Sequence, residues 1–336
     1  MNRFVFVVLL TSLVGVGCGQ RPTVVVYCAL DREFSEPILK RFEAETGYHV
    51  LAKYDTESTK SVGLTEQLLR ERSRPRCDVF WNNEILNTVR LANDGVLEPF
   101  ESTVGREYPE RFRSPENLWY GFAARARVLL LNTGETEGET LPTKREELTD
   151  PRWRGRLGMA KPLFGTTATE VACLFAVAGP EWTKQWLLGL RSNGVHVLSG
   201  NKQVAVDVGA GQLALGMTDT DDSLGELRAN HPVKITYLGN GSDGLGILLI
   251  PNTVSLIRGA PNAEPARRLI DYLLSPETEE ILALGPSGQI PLHPRAKASP
   301  KLDLPEHPKW MAVNYEKAVE HWSDAMTFIK DTFTAP

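Results

Sequence analysis

The stretch GMTDTDDSLGEL at 216–227 packs Asp219, Asp221 and Asp222 into four positions, after an apolar run and before a helix-like segment. Two chemistries fit that spacing. Clustered carboxylates can jointly ligate a hard cation, which prefers oxygen donors. They can equally start a helix, since Ser223-x-x-Glu226 has the form of a capping box and acidic residues suit a first turn. A calcium-binding helix–loop–helix is excluded, because Leu224 occupies the required glycine position and Asn230 the bidentate Glu position. Elsewhere, Gly165-Thr166-Thr167-Ala168 opens a helix, where free N–H groups and the helix dipole attract an anion or Thr166 simply caps. Arg125 and Arg127 alternate on a strand and so share one face, placed for an anion or a salt bridge. No GxSxG, HExxH or Cys–His pairing occurs, and none of the six histidines has zinc-ligand spacing with a partner. The chain is therefore not expected to be an enzyme.

These residues need a scaffold, and the bulk composition bounds it. At 336 residues and 42% hydrophobic content, the chain can form about two domains. A net charge of -5 leaves no electrostatic footprint for nucleic acid. The first 18 residues carry one basic residue and then an apolar run from Phe4 to Val16, the length of a signal-peptide core. Gly17-Cys18-Gly19 resembles a bacterial lipoprotein cleavage box, with Gly15 where an aliphatic residue is usual. An exported chain anchored through lipid on Cys18 is the expectation, with a plain signal peptide as the alternative. The other cysteines, Cys28, Cys77 and Cys173, are odd in number. Cys28 and Cys77 fall at opposite ends of neighbouring strands, so buried thiols are expected rather than a disulfide.

Strand and helix signals alternate along the chain. VVVY at 24–27 precedes a helix from Arg32 whose Phe34, Ile38, Leu39 and Phe42 share one face, closed by Gly47. Strands at 49–52 and 78–82 and helices at 61–74 and 84–95 follow. A second alternating unit runs from Arg156 to about Tyr237, and the last third is helical. Such alternation predicts doubly wound parallel sheets, in which ligands bind beyond the carboxyl ends of the strands. The loops YCALDRE (27–33) and WNNEI (81–85) occupy those ends. The glycine-rich GNGSDGLG (239–246) matches neither a dinucleotide nor a P-loop pattern and is read as hinge and turn.

Several of these stretches, in this order, resemble one family. VVVYCALDREFSEPILKRFEAETG, CDVFWNNEILNTVRLANDGVLEPF, LTDPRWRGRLGMAKP and ARRLIDYLLSPETEEILALGPSGQIPLHP are similar to bacterial extracellular solute-binding proteins of the ferric-iron-binding type. The resemblance implies an α/β fold of two doubly wound lobes joined by two crossover hinge strands, the type II periplasmic binding protein fold. Residues 22–124 with 245–336 would form lobe 1 and 125–244 lobe 2, with hinge strands around 123–132 and 234–240. It implies a monomeric binding component that captures a small ligand for an ABC permease, with ferric iron as the expected cargo. By local motif the metal ligands fall on Asp31, Glu84, Asp221 and Asp222, three of which are Asp where the ferric pattern has His and two Tyr. Each also has a bland use: Asp31 and Glu84 could start helices. A synergistic carbonate or phosphate would meet Thr166, Thr167, Ala168, Asn201, Arg125 and Arg127. Asp219, where the family has asparagine, would repel it. Without phenolates, Fe(III) or another hard cation could fill the site. The alternative cargo is a small organic cation, such as a polyamine or thiamine-like compound, or a phosphonate; aromatics Tyr27 and Trp81 would then line the cleft.

Overall fold

The computed structural model describes residues 21–55 and 62–333. Cys18 and the leader lie outside the described residues. The first part of the chain runs β1 (Thr23–Cys28), α1 (Arg32–Thr46), β2 (His49–Tyr54), α2 (Val62–Glu71), β3 (Val79–Asn82), α3 (Leu86–Asn93) and β4 (Leu97–Glu98). The long β5 (Tyr120–Asn132) leads to β6 (Leu157–Ala160), α4 (Gly165–Val177), α5 (Pro180–Ser192), β7 (His196–Leu198), α6 (Asn201–Gly209), β8 (Leu215–Asp219), α7 (Thr220–Arg228) and β9 (Val233–Thr236). The chain then returns through β10 (Leu249–Ile257), α8 (Ala263–Leu273), α9 (Pro276–Leu284), α10 (Tyr315–Glu320) and α11 (Trp322–Phe333).

The strands order as β2-β1-β3-β10-β5-β8-β6-β7, with β4 on β10 and β9 on β5. Within this path β2, β1 and β3 are parallel, as are β8, β6 and β7. These are the two alternating units expected from the sequence. Strand β5 joins them: its first half pairs with β10 and its second half with β8 and β9. All of its side chains are buried, as a strand covered on both faces requires. The segment around 234–240, expected as a second crossover strand, is different. Strand β9 pairs only with the far end of β5, and the glycine-rich return that follows has no strand before β10.

Apolar periodicity accounts for the packing. Ile38, Leu39 and Phe42 of α1 are buried with Val24 and Val26 of β1 and Leu269 and Leu273 of α8. Burying each such side chain stabilises the fold by roughly 1.5–3 kcal/mol. Gly47 ends α1 with a φ of 75°, its N–H on the Glu43 carbonyl, a conformation open to Gly at little cost. Cys28, Cys77 and Cys173 are buried free thiols. Burial pushes the Cys28 thiol up to about 12, so it behaves as a small hydrophobe.

One irregularity matters for the site. Ala123 in β5 has a φ of 42°, and the pairing with β10 shifts register opposite it, between Pro251 and Asn252. A β-bulge of this kind re-aims the residues beyond it, here Arg125 and Arg127. Glu279 of α9 holds the bend: it accepts from Ala123 N at 2.6 Å, from Leu292 N at 3.0 Å and from His293 N at 2.6 Å. Asn252 Nδ2 donates to the Ala123 carbonyl, and Ala124 and Ile290 exchange backbone bonds at 2.8 and 2.7 Å. Replacing Glu279 with Ala strands three backbone donors, those of Ala123 and His293 buried, and should lower the unfolding free energy by about 3 kcal/mol or more. Ala123→Gly removes the left-handed penalty while loosening the unfolded chain, so it should stay within about 1 kcal/mol of the parent. Urea denaturation of both variants measures the contrast.

Candidate functional site

Beyond the ends of β3, β6 and β8 lies a cavity of about 40 Å³ lined by Asp31, Asn83, Arg125, Lys161, Thr166, Asp221 and their neighbours. That volume holds roughly three waters. The cavity is small and polar.

Its acidic wall comes from the β8–α7 junction. Asp219, Asp221 and Asp222 each offer one carboxylate oxygen, all within 4.8 Å of one another. The capping-box alternative fails here. Helix α7 begins at Thr220 with Asp219 at the N-cap and no side-chain cap bond, so Ser223 falls inside the helix. Glu226 turns instead to His231. Asp221 and Asp222 occupy the first turn, where the dipole favours negative charge. Asp31 also lines the cavity. It is the N-cap residue of α1, yet makes no side-chain cap bond.

Behind this wall lies a buried ion network centred on Arg127. Its Nε donates to Glu170 Oε2 at 2.9 Å and its Nη1 to Asp219 Oδ1 at 2.9 Å and Asn201 Oδ1 at 3.1 Å. Asp219 Oδ2 accepts from Thr166 Oγ1 and from Asn201 Nδ2, the latter at 3.0 Å. Thr167 Oγ1 donates to Asn201 Oδ1 at 3.1 Å. Arg145 Nη2 approaches Glu170 Oε1 at 3.3 Å. Burial alone would raise the Glu170 carboxyl, but Arg127 and Arg145 overcome it and hold the group below the ordinary carboxylate range. Arg127 does not line the cavity, so it serves the scaffold rather than an incoming anion.

Arg125 is the guanidinium that reaches the cavity. Its Nη1 donates to the Asn83 carbonyl at 2.7 Å, its Nη2 to Asn252 Oδ1 at 3.4 Å, and its Nε lies 3.1 Å from Asp221 Oδ2. Burial works against its charge; Asp221, Asp219, Asp31 and Asp222 outweigh this, and it holds its proton more tightly than an ordinary arginine. Lys161 adds a second cation, and the N-terminus of α4 at Gly165–Thr167 faces the same space.

Four further sequence expectations need correction. Glu84 does not reach the cavity. It is fully buried, and its carboxylate takes Leu86 N at 2.7 Å, Asn87 N at 3.1 Å, Asn82 Nδ2 at 3.1 Å and Thr169 Oγ1 at 2.8 Å. It anchors the start of α3, and Asn83 beside it lines the cavity instead. Ala168 is buried in the core with its N–H on the Phe164 carbonyl. Tyr27 lies away from the cavity, its hydroxyl on Glu71 at 2.9 Å. Trp81 is wholly buried against Phe122. Tyr27 and Trp81 are adjacent-strand residues whose faces are set by the pleat, and neither faces the ligand space. Lys161, Asn83 and Phe164 were not anticipated; the rule that ligands sit beyond strand carboxyl ends points to all three.

A family profile described as bacterial extracellular solute-binding protein matches residues 88–321. The chain is 28% identical over 273 residues to iron uptake protein A1 of Synechocystis, covering 79% of this chain and 74% of that protein. It is 23% identical over 300 residues to the major ferric iron-binding protein of Neisseria meningitidis serogroup A, covering 83% and 84%. Its fold superposes on iron-bound HitA from Pseudomonas aeruginosa with a TM-score of 0.79 at 23% identity, covering 93% and 99%.

The network behind the wall gives a pH-dependent prediction. Because the Glu170 carboxyl is depressed in the folded state, its stabilisation is complete above the unfolded value, about 4.3, and is lost as pH falls through the folded value. Glu170→Gln should cost roughly 3–5 kcal/mol at neutral pH, with the gap to the parent narrowing below about pH 4. Melting curves of both proteins from neutral to acid pH check this.

Proposed function

From the premise that the chain belongs to the bacterial extracellular solute-binding proteins, we propose that it captures a hard metal cation, ferric iron foremost, and delivers it to an ABC permease. The observation that carries this reading is the convergence of acidic oxygens on a cavity too small for a bulky organic molecule. Hard cations favour such oxygen donors. Asp221, Asp222 and Asp31 are the proposed ligands, with Asp219 fixing the wall behind them. The relatives named for iron uptake and ferric binding support the same cargo.

Lys161 and the α4 N-terminus, with Thr166 and Thr167, are the proposed place for a co-bound carbonate or phosphate. Residues 22–124 with 245–336, and 125–244, are proposed as lobes that close on the cargo through the bent β5. Export and a lipid anchor on Cys18 belong to the same reading.

A ligand bound only by the folded state raises the melting temperature. Fe(III) supplied with citrate or carbonate should do so for the mature chain, and Asp221→Asn with Asp222→Asn should abolish the rise. A panel in which a polyamine, thiamine or a phosphonate stabilises the chain and no metal does would sink the metal cargo. Cys18→Ala should move the protein from the membrane to the soluble fraction, read by fractionation.

A further inference from the structure

Unloaded carboxylates crowded in one cleft repel one another unless a cation sits among them. Among the cavity-lining side chains, the cations are Arg125 and Lys161. We propose that Arg125 is a tethered counter-cation: its guanidinium holds the place beside Asp221 that an incoming cation takes, and so sets the charge a cargo must carry to enter. This rests on the metal-cargo reading above.

The geometry supports an exchangeable contact. Arg125 is anchored from one side, on the Asn83 carbonyl after β3 and on Asn252 of β10, and reaches across to Asp221 in the first turn of α7. Its Nε stands 3.1 Å from Asp221 Oδ2, yet the buried Nε has no aligned hydrogen-bond acceptor. The attraction is one of charge rather than of a directed bond. Arg127 is the contrast, with directed bonds to Glu170, Asp219 and Asn201. The carboxylates of Asp221, Asp219, Asp31 and Asp222 all act on the Arg125 charge.

A metal bound to Asp221 Oδ2 at roughly 2.0–2.5 Å would lie within about 6 Å of that Nε. A guanidinium cannot escape the repulsion by losing its proton. Both can contact one carboxylate through its two oxygens, but each weakens the other's hold on the same negative charge. A monovalent ion offers Asp221 no more charge than the guanidinium, which is already tethered and desolvated. A multivalent ion does. Arg125 therefore selects for high charge and against monovalent cations.

The test uses the mature full chain and Arg125→Gln. With Fe(III) supplied as its citrate complex, R125Q should bind roughly tenfold or more tightly than the parent. With potassium ion as a monovalent probe, it should gain a melting shift the parent lacks. Equal or weaker Fe(III) binding by R125Q would overturn the proposal, since Arg125 would then assist the cargo or its anion. A second measurement needs no metal: melting temperatures of the parent, R125Q, Asp221→Asn and the double variant. The double variant should melt above R125Q, because the uncompensated carboxylate is gone. An R125Q chain that folds only when Asp221 is also replaced supports the proposal equally. Additive losses would overturn it. Failure of both parent and R125Q to bind Fe(III) would instead sink the metal cargo, and the metal-free cycle would decide the role of Arg125 alone.

Discussion

Burying a guanidinium is the constraint on which the second half of this molecule depends. Arg127 is 3% exposed, and a charge in that setting is tolerated only when paired and hydrogen-bonded. Asp219 and Glu170 supply the pairing, with Glu170 shared by Arg145. The partners come from separate elements: Glu170 from α4, Asn201 from the start of α6, Asp219 from the end of β8. One side chain of β5 thus fixes the origins of α4, α6 and α7 relative to one another. Those origins form much of the cavity wall.

That arrangement divides labour between two arginines two residues apart. Arg127 pairs with Asp219 from behind the cavity wall; Arg125 stays at the surface of the cavity, against Asp221. What faces a ligand is therefore less acidic than the bare count of aspartates suggests. Asp31, Asp219, Asp221 and Asp222 line the cavity with Arg125 and Lys161, and Arg127 offsets Asp219 from behind the wall. A cleft of nearly balanced charge selects by geometry and by charge density, not by overall attraction.

The sequence made some of this legible and hid the rest for identifiable reasons. Alternating strand and helix periods gave the two parallel units, because buried strands and amphipathic helices impose their spacing locally. The Asp219–Asp222 cluster and the Arg125/Arg127 alternation were visible as such. Their partners were not, because which carboxylate meets which guanidinium is decided across the sheet. Glu84 misled because an acidic residue before a helix has two uses, and only the approach of Thr169 and the turn of its own backbone selects between them. Asn83, one position earlier, faces the cavity; consecutive loop residues point in different directions. The Ser223–Glu226 pattern failed because the helix starts four residues sooner than a capping box needs. The bend at Ala123 carried no local signal, since no glycine marks it.

That bend has a consequence for how the molecule is made. Glu279 lies 156 residues beyond Ala123 in the chain, and Ile290 later still. Everything between them, including β6 through α7, is synthesised before the clamp on β5 exists. Contacts of such long sequence separation form late and slowly. The ligand cavity can therefore take its final shape only after the last third of the polypeptide has emerged and packed, which keeps an incomplete chain from presenting a finished binding site.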